Sequence, residues 1–250
     1  MRALVLSDIH GNVHALDAVL AAASGAWDEL WNLGDAVGYG GNPNEVLDRL
    51  REHAKLHVRG NHDRVCSGLT STHGFNPIAA EAATWTKHKL TVANLEWLRA
   101  WPQGPIRATE AASCAHGSPL HEDQYIVSMR DAWGPLQRME TAITFFGHTH
   151  VQGGFSQHFQ DWEEFHPQYT THSEAESFVV QLPEGSRHLF NPGSVGQPRD
   201  HDWRAAFAIY DDTAATLTYH RIPYDLVSAQ QAICAAHLPE RLAARLATGR

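Results

Sequence analysis

Short apolar runs alternate with stretches of helical periodicity through the first half of the chain. Ala3 to Ser7 is a run of strand length, and Val13 to Ala23 follows it with apolar residues at helical spacing, which predicts a β-α unit. Glu29 to Leu33 is a second run, after which Pro43 opens a helix reaching about His53, with Asn42 as its cap. Lys55 to Arg59 is a third. Asn76 to Trp101 reads as two helices, divided where Thr91 caps the second and stopped by Pro102. Ala111 to Ala115 and Ile143 to Phe146 are further apolar runs, with a helical stretch near Ala132 to Thr141 between them. Strands then dominate, at Phe178 to Leu182, His188 to Phe190, Ala205 to Tyr210 and Thr216 to Ile222. Residues 157–176 are polar, aromatic and irregular, which predicts a surface insertion or hairpin; 224–250 forms a helical segment, alanine-rich from Leu226 to Ala247.

Alternating β-α units early and antiparallel-looking strands late predict an α/β (α+β) domain over residues 1–250, with sheets sandwiched by helices. A chain of 250 residues can bury a real core, and 43% hydrophobic with 19% charged residues excludes a disordered or membrane-embedded class. The net charge of −9 counts against a general nucleic-acid binder, because affinity for a phosphate backbone rests on many Lys and Arg contacts. Cys66, Cys114 and Cys234 have no C-x-x-C spacing, so they predict reduced thiols, with neither a disulfide framework nor a cysteine zinc site. The apolar stretch after Met1-Arg2 is too short for a signal-peptide core, which leads to a cytoplasmic expectation.

Histidine is the unusual count, at 18, and placement decides what the residues do. Polar clusters follow directly on five of the apolar runs: Asp8-Ile9-His10, Gly34-Asp35, Gly60-Asn61-His62-Asp63, His116-Gly117 and Gly147-His148-Thr149-His150. Loops beyond the carboxyl ends of strands in layered α/β folds gather at one edge of the sheet, where ligands bind. Asp8 and His10, like His148 and His150, are spaced by two, so each pair can chelate. Mixed oxygen and imidazole donors suit Mn, Fe, Co or Zn better than they suit Ca or an all-oxygen Mg site. Seven donors exceed what one ion needs, whereas two ions roughly 3.5–4 Å apart sharing a carboxylate suit phosphoryl transfer. Taken singly, Asp8 could instead cap the following helix and Asp35 could be a turn residue. His158, His166 and His172 fall in the irregular segment and are expected in solvent.

In this order of motifs the chain resembles the calcineurin-like metallophosphoesterase superfamily, in its bacterial and archaeal phosphodiesterase-like branch. That family's pattern is D-x-H, G-D, G-N-H-D/E, a lone H and G-H-x-H, and the resemblance covers about Met1 to Tyr210. It implies a four-layer α-β-β-α sandwich of two mixed sheets that hydrolyses phosphomonoesters or phosphodiesters with a metal-bound hydroxide. It also implies one divalent transition ion (Mn, Fe, Co, Ni or Zn) on Asp8, His10 and His150, a second on Asn61, His116 and His148, and Asp35 bridging them. The catalytic residue it implies is His62, which steadies the phosphate oxygens or protonates the leaving oxygen without ligating a metal. The substrate expected is a small-molecule phosphate ester, with nucleotides among the candidates. A non-catalytic scaffold, a nuclease and a protein phosphatase are the other fates of the fold.

One departure bears on these. Serine/threonine protein phosphatases of the superfamily carry G-D-x-V-D-R-G at the second motif, where this chain has Gly38 and Tyr39 in place of the acid and the arginine. That weakens a protein-phosphatase or diadenosine tetraphosphate hydrolase assignment and leaves open what orients His62. Asp63 is expected to hold loop backbone, and Arg199, in the turn-rich run Asn191 to Asp200, to pair with a nearby acid.

Overall fold

The computed structural model describes residues 1–250, and its elements start from the β-α units of the sequence pattern. The first half runs β1 (Arg2–Leu6), α1 (Val13–Ala22), β2 (Glu29–Asn32), α2 (Pro43–His53), β3 (Ala54–His57), α3 (Asn61–Cys66), α4 (Pro77–Lys89) and α5 (Val92–Arg99). Next come β4 (Ile106–Arg107), β5 (Ala112–Cys114), α6 (Met129–Arg138), β6 (Ile143–Phe145), β7 (Gly153–His158) and β8 (Asp161–Phe165). The chain closes with β9 (Glu176–Gln181), β10 (Arg187–Asn191), β11 (Ala205–Asp211), β12 (Thr216–Ile222), α7 (Leu226–Ala235) and α8 (Glu240–Leu246).

One sheet has the order β3-β2-β1-β11-β12-β9 and the other β4-β5-β6-β10-β7-β8. Within the first, β1, β2 and β3 are parallel; within the second, β5, β6 and β10 are. Alternation along β1 shows why both faces are covered. Leu4 and Leu6 pack with Leu16, Val46 and Leu242 of the flanking helices, while Ala3 and Val5 turn to Phe145 and Phe190 of the opposing sheet. On the far side of the second sheet, Ala132 and Leu136 of α6 cover Phe155 and Leu189. The layers are therefore helices, sheet, sheet and helix, and the mixed two-sheet sandwich expected from the sequence is the fold of the chain.

Four details differ from the pattern reading. Asn61 and His62 lie in the first turn of α3 and not on a loop, with Gly60 as the cap residue. The irregular segment begins as a sheet hairpin, β7 with β8, whose start at Gly153-Gly154 carried no strand signal because glycine has little β-propensity. Gly154 is needed there: a Cβ on it would meet Phe190 Cδ1 at 2.7 Å. β4, two residues long, gave no periodic signal at all. The C-terminal helical run breaks after Ala235, where His237 turns into the left-handed region at φ 54°, and Pro239 then opens α8. No helix is long and apolar enough to cross a membrane.

Candidate metal centre

Each parallel strand delivers its carboxyl end to one edge of the sandwich. β1 leads to Asp8 and His10, β2 to Asp35, β3 to Asn61 and His62, β5 to His116, and β6 to His148 and His150. Five of these, Asp8, His10, Asp35, His148 and His150, have φ between 50° and 68°. Non-glycine residues enter that left-handed region at a cost on the order of 1–3 kcal/mol each, so the surrounding fold must impose it. Part of the support is Asp63. It is fully buried, and its Oδ2 accepts from the N–H of Asp35 at 2.7 Å and of Gly60 at 2.9 Å, while Oδ1 accepts from Val37 N–H at 3.2 Å. Asp63 thus ties the β3-α3 turn to the β2 loop, as expected of it. Gly60 fits where no side chain could, since a Cβ would lie 2.0 Å from Asp35 Oδ1.

Two ligand groups result. Asp8, His10 and His150 form one, and Asp35, His116 and His148 the other, all buried. Asn61 joins the second, its Oδ1 3.2 Å from His116 Nε2. Asp35 Oδ2 faces both groups, 3.7 Å from His10 Nε2 and 3.4 Å from His116 Nε2, while its Oδ1 accepts from His62 N–H at 2.8 Å. Three rings are fixed by backbone carbonyls: His10 Nδ1 on Val37 at 3.1 Å, His116 Nδ1 on Leu33 at 3.0 Å and His150 Nδ1 on Gln197 at 2.6 Å. A proton on each Nδ1 leaves each Nε2 as a lone pair, which is how metal-binding histidines are usually oriented. His148 is turned the other way, with Nε2 3.2 Å from the Asp123 carbonyl, so a proton there leaves Nδ1 as its donor atom.

The electrostatics of this pocket favour added positive charge. Asp8 Oδ2 is satisfied by Ser7 Oγ–H at 2.7 Å and His148 N–H at 3.0 Å, but Oδ1, fully buried, has no hydrogen-bond partner. Burial above all, with Asp35 nearby, raises the Asp8 carboxyl to about 6. At His116 burial opposes protonation, yet Asp35, Asp8 and Asp63 together carry the ring up to about 10, so in the metal-free protein its Nε2 holds a proton that a bound ion would displace. Burial and neighbouring cations push His10 and His150 well below the ordinary imidazole range, which keeps them neutral and able to donate electron pairs. An orphaned carboxylate oxygen and convergent imidazole lone pairs fit divalent transition ions.

His62 belongs to neither group. Its ring sits among Tyr39, Phe75 and His10, with centroids 4.4, 4.6 and 5.0 Å away. Its buried Nδ1 lies against Gly38, where a Cβ would come within 2.6 Å. The ring itself fills the place of the missing acid, and packing orients it. Burial, more than the opposing pull of Asp35, takes His62 down to about 4, so it is neutral at pH 7.

Two outcomes concern the structural roles weighed for Asp8 and Arg199. Asp8 does not cap α1, whose cap is Asn12 accepting from Ala15 N–H at 3.1 Å. Arg199 has no acid partner, contrary to expectation, because Asp200 pairs with Arg221 instead. Its Nη2 donates to Gln197 Oε1 at 3.1 Å, its Nε is buried without a partner, and its guanidinium lies 6.0 Å from the Tyr39 ring. Its charge is felt at Asp8, His10, His62 and His150. His166 and His172 are exposed and His158 is half-buried against Ser186, all outside the ligand groups. Tyr39 and Tyr125, the latter stacked 4.0 Å from His148, also line the site; the place of Tyr39 in the second motif could have marked it, whereas Tyr125 carried no sequence signal.

A family model described as the calcineurin-like phosphoesterase superfamily domain matches residues 1–214. An uncharacterised protein of Methanocaldococcus jannaschii is 34% identical, over 98% of this chain and 97% of its own. The crystal structure of a metallophosphoesterase from Sphaerobacter thermophilus superposes with a TM-score of 0.85 at 38% identity, covering 100% of this chain and 99% of that one. A hypothetical protein of Pyrococcus horikoshii has the same fold, with a TM-score of 0.77 at 19% identity over 100% and 98% of the two chains.

Proposed function

The chain belongs to the calcineurin-like phosphoesterase superfamily, and from that membership we propose that it is a dinuclear, metal-dependent phosphoesterase of the cytoplasm that hydrolyses small-molecule phosphomonoesters or phosphodiesters. One observation carries the reading: Asp35 Oδ2 faces the imidazole nitrogens of both ligand groups, beside a carboxylate oxygen of Asp8 that no protein donor satisfies. Asp8, His10 and His150 would hold one divalent transition ion and Asn61, His116 and His148 the other, with Asp35 between. Such a pair, when bound, acidifies water for attack on phosphorus and offsets charge on the phosphoryl oxygens.

The remaining work falls to the chain. His62, with Nδ1 against Gly38, keeps Nε2 for substrate, and as a neutral ring it suits donating a hydrogen bond to a phosphoryl oxygen better than giving up a full proton. Arg199, without a carboxylate, offers a guanidinium to the same oxygens. All three cysteines are free, in keeping with a reducing compartment. The test is a screen of the protein loaded with Mn, Fe, Co, Ni or Zn against mono- and diesters, cyclic nucleotides and dinucleotides, with metal content measured in parallel. Two ions per chain and turnover of at least one ester class are expected; binding of metal with no hydrolysis under any condition would favour a scaffold.

A further inference from the structure

Helix α8 and the residues after it, outside the matched family domain, line a groove beside the metal centre together with Tyr39 and the start of α4. It measures about 860 Å³, and Tyr39, Asn76, Arg241, Arg245, Thr248 and Arg250 are among the residues lining it. Tyr39 is the wall shared by the two spaces: its ring is 4.8 Å from that of His10 on one side and 6.0 Å from the Arg245 guanidinium on the other. Arg199, also 6.0 Å from that ring, continues the line of guanidinium groups into the metal site.

No acidic side chain lines the groove, and none of Arg199, Arg241, Arg245 and Arg250 pairs with one, although the chain has 28 acidic residues against 19 Lys and Arg. Their remaining hydrogen bonds are few: Arg245 Nε donates to the Arg250 carbonyl oxygen, and Arg250 Nε to His201 Nδ1 at 3.1 Å. Guanidinium groups gathered at one wall repel one another. Burial, with the charges of Arg199 and Arg241, brings Arg245 down to about 10. An anion there would relieve the repulsion, and a phosphate matches the geometry of a guanidinium fork.

We propose that this groove is a subsite for a second anionic group of the substrate, so that the preferred phosphate ester carries a further phosphate one tyrosine ring away from the phosphorus that reacts. The inference rests on the phosphoesterase reading and narrows it to polyanionic esters. Arg241 and Arg245 bind the second group and do not touch the reacting atoms. Tyr39 separates the two phosphates, so that each meets its own cations.

A matched pair of substrates tests it: thymidine 5′-(p-nitrophenyl phosphate) with and without a 3′-phosphate, compared on the metal-loaded protein and on the Arg241→Gln/Arg245→Gln variant. The 3′-phosphate should raise kcat/KM about tenfold or more in the wild type, mainly through KM, and the variant should lose most of that preference. No preference in the wild type, or a preference that survives in the variant, overturns the proposal. Calorimetric titration with inorganic tripolyphosphate separates its failure from that of the phosphoesterase reading. If neither ester is hydrolysed, tenfold weaker tripolyphosphate binding by the variant still supports the groove, and equal binding overturns it.

Discussion

Removing the Asp63 carboxylate should destabilise the protein through three backbone donors, without a direct loss of any ligand atom. In Asp63→Ala the N–H groups of Asp35, Gly60 and Val37 lose their acceptor in a region that water does not reach, since Asp35 and Val37 are at most 1% exposed. Leaving a buried donor unmet costs about 1–3 kcal/mol, and the space vacated by the carboxylate lets the loop relax, so about 3–5 kcal/mol is expected in all. For a chain of this size that corresponds to a fall in Tm of about 10–15 °C. Asp63→Asn should cost roughly half as much, because its carbonyl oxygen can replace Oδ2, which takes two of the three bonds, and only its amide group meets Val37 N–H head-on. Circular-dichroism melts in EDTA read the effect free of metal linkage. A Tm for Asp63→Ala within about 2 °C of wild type, or an Asn variant less stable than the Ala variant, would refute the reasoning.

Other consequences can be checked on the same material. His62→Ala should keep both metals by elemental analysis and lose about 10²–10³-fold in rate. The loss should be similar for alkyl and nitrophenyl esters if the ring serves phosphoryl oxygens; a loss confined to alkyl esters would make it the proton donor instead. Asp35→Asn should lower metal content at both positions and His10→Ala mainly at one, so depletion of a single position by Asp35→Asn would contradict the shared carboxylate. Saturating metal should stabilise the native state by about 2.7 kcal/mol for each of the two sites at a hundred times its Kd, read as a rise in Tm that EDTA reverses. Acid should destabilise the metal-free protein: burial pushes His57, His188 and His220, all outside the site, down to about 4. Their folded pKa lies below the unfolded value of about 6.5, so the unfolded chain binds more protons and stability falls between pH 6.5 and 4, by up to about 1.4 kcal/mol per pH unit for each ring. Urea midpoints that do not move over that window would show these rings to be solvated.

The candidate ligands were legible in the sequence because each follows an apolar run, and runs of that length become strands whose carboxyl ends meet at one edge of a layered fold. Strand identity, the order of motifs and the spacing of two within Asp8-x-His10 and His148-x-His150 are local properties, carried by side-chain chemistry and period alone. The caps of α4 and α5 at Asn76 and Thr91 are local in the same way, each accepting a backbone N–H three residues on. What joins distant segments could not be read so. The left-handed backbone at five site residues is a strained state that packing imposes, and no residue preference announces it. The setting of His62 depends on Gly38 and Tyr39 arriving from one segment of the chain and Phe75 from another, and a glycine in a motif shows nothing of the ring that will occupy its missing Cβ. Arg199 read as half of an ion pair because an acid stands next to it, but tertiary structure gave Asp200 to Arg221, 21 residues away, and turned Arg199 towards the metal centre. Charge pairing is decided by which side chains the fold brings within reach, and adjacency in sequence does not constrain that.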